Sequence, residues 1–288
     1  MRRVRSPTVR EGRVHLKLPL LTRGLLTPVG KVVLSTMKKT SKAAPKRSAA
    51  TAAEFVENLM SLRSAAELKK IQRYFKSGAG EYGEGDEFIG VRMGQLFSLA
   101  KKFQDMSPPE IEKLLESPIH EVRVGAVSIM DFQARNKKTS PERKKELFDL
   151  YLCRHDRINN WDLVDRSAPH VIGGYLSDKP RKVLYKLARS KNVWERRTAI
   201  VSTWYFIRQG DIDDTFKLAE VLLSDGHDLI HKAAGGWLRE AGKHDRQRLL
   251  DFLDKHAAKM PRTFLRYAIE HLDKTTRDHY LGLRKPEK

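Results

Sequence analysis

Asn159-Asn160-Trp161-Asp162-Leu163-Val164-Asp165 reads as the opening of a helix: an asparagine able to cap, an acid in the first turn, and apolar residues behind it. Equivalent helices start near Trp161, Trp194, Asp228 and Arg262, at separations of 33, 34 and 34 residues. Each follows another apolar-periodic segment, so the repeating unit is a helix pair. Pairs recurring every ~30 to 45 residues build an α-solenoid of the HEAT or armadillo kind. Each pair buries its apolar stripe only against its neighbours, and the second helices line one concave face. Residues near the same point of successive second helices therefore converge.

The rest of the chain is consistent with an all-α fold. From about Ala52 onward apolar residues recur at three- and four-residue spacing, as in Phe55, Leu59, Leu62 and then Leu68, Ile71, Phe75. No alternating strand pattern is evident. Prolines 108, 109, 118, 141, 180 and 261 fall between such segments, often where a first helical turn belongs. The expectation is about a dozen helices of ~10 to 15 residues.

The 288 residues are 40% hydrophobic, enough for a sizeable core. The single cysteine, Cys153, cannot form an internal disulfide, and no Cys/His spacing fits a zinc site. A cytoplasmic protein without metal or organic cofactor is the simplest expectation. The formal charge of +20 points to a polyanionic partner, but its distribution matters. Residues 1 to 50 carry 13 basic residues and one acid, so the remaining body is only moderately basic at +8.

Residues 1–50 are expected to be a disordered basic extension preceding a domain at 51–288. Their apolar clusters are too short and interrupted for a membrane span or a secretory signal. Three readings stay open. The segment is a basic arm adding salt-sensitive DNA affinity, an upstream extension with translation starting at Met37, or, less favoured, an organellar transit peptide.

Trp161 and Asp165 lie four apart, hence on one helix face, and an indole beside a carboxylate makes a cation site. A sugar losing its base becomes oxocarbenium-like, and a carboxylate stabilises that charge. The competing reading is that Asp162 and Asp165 favour the helix dipole while Trp161 packs in the core. In Trp194-Glu195-Arg196-Arg197 the adjacent arginines diverge, so one is a phosphate ligand or both are solvated. The segment Ile230 to Glu240 brings Lys232, Trp237 and Arg239 to the next repeat. Its Gly235-Gly236 pair costs roughly 1 kcal/mol per glycine, which close packing or a ligand would justify.

Two further patterns carry less. Gly78-Ala79-Gly80-Glu81-Tyr82-Gly83 matches a dinucleotide fingerprint but follows a helix and is flanked by acids, so it reads as an interhelical loop. Histidines 120, 155, 170, 227 and 231 share no ligand spacing, so capping, packing or phosphate contact is expected of them. Arg143, Lys144, Lys145 and Arg181, Lys182 read as solvated helix faces.

Taken together, several motifs in order resemble the AlkD-like DNA alkylation repair glycosylases over residues 55 to 280. They are Tyr74-Phe75-Lys76 with the glycine-rich loop to Phe88-Ile89-Gly90-Val91-Arg92, Ser117-Pro118-Ile119-His120-Glu121, Asn160 to Asp165, Trp194 to Arg197, and Lys232 to Glu240. The resemblance implies a monofunctional DNA glycosylase releasing N3- or N7-alkylated purines from duplex DNA, without a cofactor or membrane, as a monomer. It implies Asp165 as catalytic carboxylate with Trp161 as its aromatic partner at the deoxyribose. Arg197 would anchor a phosphate, and Tyr74 would contact DNA, with Arg196, Lys232, Trp237 and Arg239 also on the DNA-binding face. The lesion would stay within the duplex. One departure stands out: Gly236 fills the position at which the family carries tryptophan, and Trp237 comes one residue later. One residue is about 100° of helix, so Trp237 is expected to face away from the site. The alternative function is a non-catalytic repeat module binding damaged or branched DNA, or a protein, through the same groove.

Overall fold

The computed structural model describes residues 50–75, 78, 81 and 83–283, and Ser48–Lys288 forms one compact unit. The readings made for residues 1–49 lie outside the described residues, as do Lys76 and Gly80. The first helices are α1 (Ala52–Met60), α2 (Ala65–Tyr74), α3 (Met93–Lys102), α4 (Pro108–Leu115), α5 (His120–Arg135) and α6 (Pro141–Cys153). Then come α7 (Trp161–Ala168), α8 (Lys182–Leu187), α9 (Val193–Ser202), α10 (Trp204–Ile207) and α11 (Asp213–Val221). The chain closes with α12 (Asp228–Ala241), α13 (Arg246–His256), α14 (Arg262–Ala268) and α15 (Lys274–Gly282).

The chain folds as an α-solenoid, and the predicted repeat is visible in it. The expected starts at 161, 194, 228 and 262 correspond to α7, α9, α12 and α14, and these four pack in sequence, each on the next. The same row continues backward through α5 to α3. Helices α4, α6, α11 and α13 pack against members of that row as its second layer. Between them runs one core, including Phe55, Leu96, Tyr151, Leu163, Ile200 and Phe264, each fully buried. Each such side chain contributes roughly 1.5–3 kcal/mol on burial. The helices are more numerous and more unequal than expected, from 4 to 16 residues, because α9 and α10 are separated by Thr203 alone. Among the described residues no helix is long and apolar enough to cross a membrane.

One irregularity positions the groove. Pro169 follows α7 directly and has no N–H to continue the ladder, and the chain widens there into a π-helical turn, Pro169–Gly174. That turn sits tightly on α9: a Cβ on Gly173 would come within 2.2 Å of the Ser202 carbonyl oxygen, so only glycine fits.

A buried polar network fixes the start of α7. Asn160 is fully buried, accepts from the Trp161 N–H at 2.8 Å and donates to Asp86 at 3.1 Å. His120 sits between two carboxylates, Nδ1 3.2 Å from Asp86 and Nε2 2.8 Å from Asp162, and Arg123 also pairs with Asp86. Next to it the buried Glu121 carboxylate accepts the N–H groups of Ile89, Gly90 and Val91. The segment Ser117 to Glu121 thus ties the loop before α3 to the helix that carries the site. Burial alone would lower the His120 pKa, but Asp162 and Asp86 more than reverse this and raise it to about 9.

A histidine pKa raised on folding contributes stability that is complete below its unfolded value of about 6.5 and lost as pH rises through about 9. The urea midpoint of the protein is therefore expected to fall between pH 6.5 and 9.5. In His120→Gln that part of the pH dependence should vanish; a variant curve parallel to wild type would refute the network's role.

Candidate functional site

Asp165 lies one turn into α7 and meets an arginine from the next repeat. Arg197 Nε donates to Oδ1 at 2.8 Å and Nη2 to Oδ2 at 2.7 Å, a two-point pair between planar groups. The third guanidinium nitrogen, Nη1, donates to the Leu229 carbonyl at 2.6 Å. One side chain on α9 therefore links α7 to α12 across the concave row. Arg197 is 7% exposed, whereas the Asp165 side chain retains 37%. The carboxylate is thus enclosed by protein except on the side open to the groove.

Its electrostatics follow from that placement. Desolvation raises the Asp165 pKa above the usual carboxylate value, Arg197 pulls it down by charge and hydrogen bonding, and Asp162 adds a smaller upward push. The arrangement fixes an anion at the open side of the groove, with the lone pairs not taken by Arg197 left for a ligand.

The open side is a cavity of about 240 Å³ lined by Asp165, Arg166, Pro169, His170, Trp204, Trp237, Asp131 and Arg135. Two indoles face it. Trp204, at the start of α10, also meets the His170 ring edge-on at 5.5 Å. The Trp237 indole Nε1 is buried with no hydrogen-bond partner among the described residues, a donor without an acceptor. The π-helical turn carries His170 into the cavity wall. Its Nδ1 is 2.9 Å from Asp131 Oδ1, and the other Asp131 oxygen takes Arg166 at 3.0 Å. Arg166 in turn lies over the rings of Phe97 and Phe132, at 4.6 and 4.8 Å from their centroids.

The structure rearranges several expected partners. Trp161 and Asp165 share a helix but line different cavities, with Arg166 common to both. Trp161 stacks on Phe75 at 5.7 Å and meets Tyr74 at 5.9 Å, in an apolar cleft of about 570 Å³. Tyr74 is 67% exposed at its edge. Trp237 does not face away: from α12 it lines the same cavity as Asp165 and Trp204. Arg197, expected at a phosphate, has its guanidinium turned inward. Arg196 is spent on Asp225, at 2.5 Å, and on the Ser190 and Lys191 carbonyls. Lys232 pairs with Asp228 at 2.7 Å, and Arg239 with Glu240 and Glu270.

Trp204, His170 and Asp131 were not singled out as site residues from sequence. The one available signal was Trp204 as the third of the four tryptophans of the chain, ten residues after Trp194. Trp194 itself is buried at 7% exposure, in the core.

Comparison with known proteins adds a family. A family model described as DNA alkylation repair enzyme matches residues 55–272. A solved structure described as a predicted DNA alkylation repair enzyme from Enterococcus faecalis superposes with a TM-score of 0.58. It is 17% identical and covers 74% of this chain and 97% of its own, a likeness of fold. No curated protein matches by sequence.

The glycine pair on α12 divides by environment. A Cβ on Gly235 would lie 2.5 Å from the Phe264 carbonyl oxygen and 2.6 Å from Tyr267 Cβ, so α14 packs directly on that position. At Gly236 a Cβ would meet nothing within 4 Å. Gly235→Ala is accordingly expected to destabilise by about 1–3 kcal/mol. Gly236→Ala should stabilise by about 0.5–1 kcal/mol through helix propensity alone. Chemical denaturation of the two variants checks the contrast, and equal effects would contradict it.

Proposed function

From membership of the DNA alkylation repair enzyme family, to which this chain belongs, we propose that it is a monofunctional DNA glycosylase acting on N3- and N7-alkylated purines in duplex DNA. The observation that carries the reading is the Asp165 carboxylate, clamped by Arg197 and facing a cavity walled by Trp204 and Trp237.

An alkylated purine of this kind carries a positive charge while attached. When the C1′–N bond breaks, its electron pair leaves with the base, which departs neutral, and the positive charge moves to the deoxyribose. The protein therefore has no need to protonate the leaving group; it has to stabilise the sugar cation and deliver water. Asp165 does the first by charge, in a site where fixed groups replace solvent. The water oxygen then bonds to C1′ and its proton passes to the Asp165 carboxylate or to bulk water, leaving an abasic site. The two indoles pack against the sugar and exclude other water. Arg197 acts through Asp165 as a positioning residue. Tyr74 and Trp161 form a separate apolar wall for the neighbouring part of the duplex.

Chromatography of bases freed from methylated duplex DNA is expected to show 7-methylguanine or 3-methyladenine with wild type. Release should fall at least ~100-fold with Asp165→Asn, while affinity for duplex DNA is nearly kept. Equal rates for the two proteins would remove the catalytic assignment, and inactivity of both would favour a non-catalytic DNA-binding module.

The Arg197 role has its own test. Because Arg197 holds the Asp165 pKa down, Arg197→Gln should move the acid limb of the rate profile to higher pH and lower the rate at pH 7. A variant that weakened DNA binding alone, with the pH profile in place, would instead mark Arg197 as a phosphate ligand.

A further inference from the structure

A second cavity, of about 320 Å³, adjoins the Asp165 cavity and shares two of its wall residues, Arg135 and His170. The two differ in charge. The first sets the carboxylates of Asp165 and Asp131 beside Arg135 and Arg166; the second is lined by Arg135, Lys137, Lys144 and His170, with Tyr175 and Tyr205, and no acid lines it. Of the basic run at the start of α6, Arg143 pairs with Glu146 at 3.1 Å and Lys145 with Asp149 at 2.5 Å, both along their own helix. Lys144, between them, is half-buried, turns into the notch and makes no ion pair among the described residues; nor does Lys137. Arg135 keeps 52% of its side chain exposed and, among the described residues, pairs with Asp131 alone, at 3.4 Å. Asp178, whose pKa the charge of Lys144 helps to lower, is engaged by Lys179 at 2.5 Å.

Like charges gathered in a concave notch repel one another, and a bound anion relieves that repulsion. We propose that this notch seats a backbone phosphate of the strand whose deoxyribose enters the Asp165 cavity. Sugar and phosphate alternate along a strand, and the two adjoining cavities, one presenting the Asp165 carboxylate and one whose charged lining is basic alone, match that alternation. Arg135, Lys137 and Lys144 supply the charge and His170 forms the partition between the two seats. The inference rests on the glycosylase reading and makes it specific: the phosphate grip lies at the α5–α6 loop and the π-helical turn, not at the arginines of α9.

Salt-dependent binding to an alkylated duplex tests it, with Lys137→Gln/Lys144→Gln compared with wild type and with Lys274→Gln, on the last helix, as control. Both notch lysines reach solvent, so the variant is expected to fold, which circular dichroism checks. Each phosphate contact contributes about 0.9 to the slope of log K against log salt. With one phosphate seated by the two lysines together, the double variant should flatten the slope by about 0.9, and the control should not flatten it to that extent. A duplex with one neutral methylphosphonate beside the lesion should flatten the wild-type slope by about 0.9 and leave the double variant unchanged. Wild-type binding with the same slope in the double variant would overturn the phosphate seat while leaving the glycosylase reading intact. Absence of any salt-dependent DNA binding by wild type would overturn both. Millimolar inorganic phosphate displacing DNA from wild type but not from the double variant, with no methylphosphonate effect, would make the notch a free-anion site and also overturn the proposal.

Discussion

The bidentate contact between Arg197 and Asp165 is the constraint on which the groove depends. A carboxylate enclosed by protein on all but one side is costly unless something compensates its charge. A guanidinium from the next repeat does so, and its third nitrogen fastens the helix after that one. Three successive inner helices are thereby held in one register by a single side chain. The same contact opposes the desolvation that raises the Asp165 pKa, so stability of the groove and the proposed chemistry draw on one interaction.

Charge in this protein divides into two populations. Arg123, Arg154, Arg181, Arg196 and Arg197 are turned onto carboxylates or carbonyls of the protein itself and tie loops and repeats together. Lys137 and Lys144, in the α5–α6 region, make no ion pair among the described residues. A formal charge of +20 therefore overstates what the body offers to a polyanion, and the location of the uncommitted charges says more than their number. Around Asp131, for example, Arg166 and His170 are absorbed into a buried network whose work is to hold the π-helical turn in place.

The solenoid was legible because spacing alone encodes it: the four inner helices start at or within one residue of the positions that their capping and first-turn residues indicate. The position of Asp165, one turn into such a helix, was legible for the same reason. What surrounds Asp165 was not, because it depends on how helices meet. Arg197 reads equally well as a phosphate ligand until its distance to Asp165 is known. His170 reaches the cavity through a π-helical turn that follows a proline, a geometry no periodicity expresses. Trp204 comes from a short helix split from α9, and Trp161, correctly placed on the concave row, is drawn to Phe75 and Tyr74 from the first helices. The expected outward turn of Trp237 followed from the helix angle alone, which does not say which neighbouring walls an indole reaches, and here it lines the Asp165 cavity.

The claim at the centre of this account is that the negative charge of Asp165 meets a positive charge developing on deoxyribose. The most direct measurement is the affinity for two duplexes that differ only in a sugar mimic at the lesion position, one a cationic pyrrolidine and the other its neutral tetrahydrofuran counterpart. The account predicts tighter binding of the cationic duplex by wild type and loss of that preference in Asp165→Asn. Equal affinity of wild type for both duplexes, or a preference that survives in the variant, would contradict it.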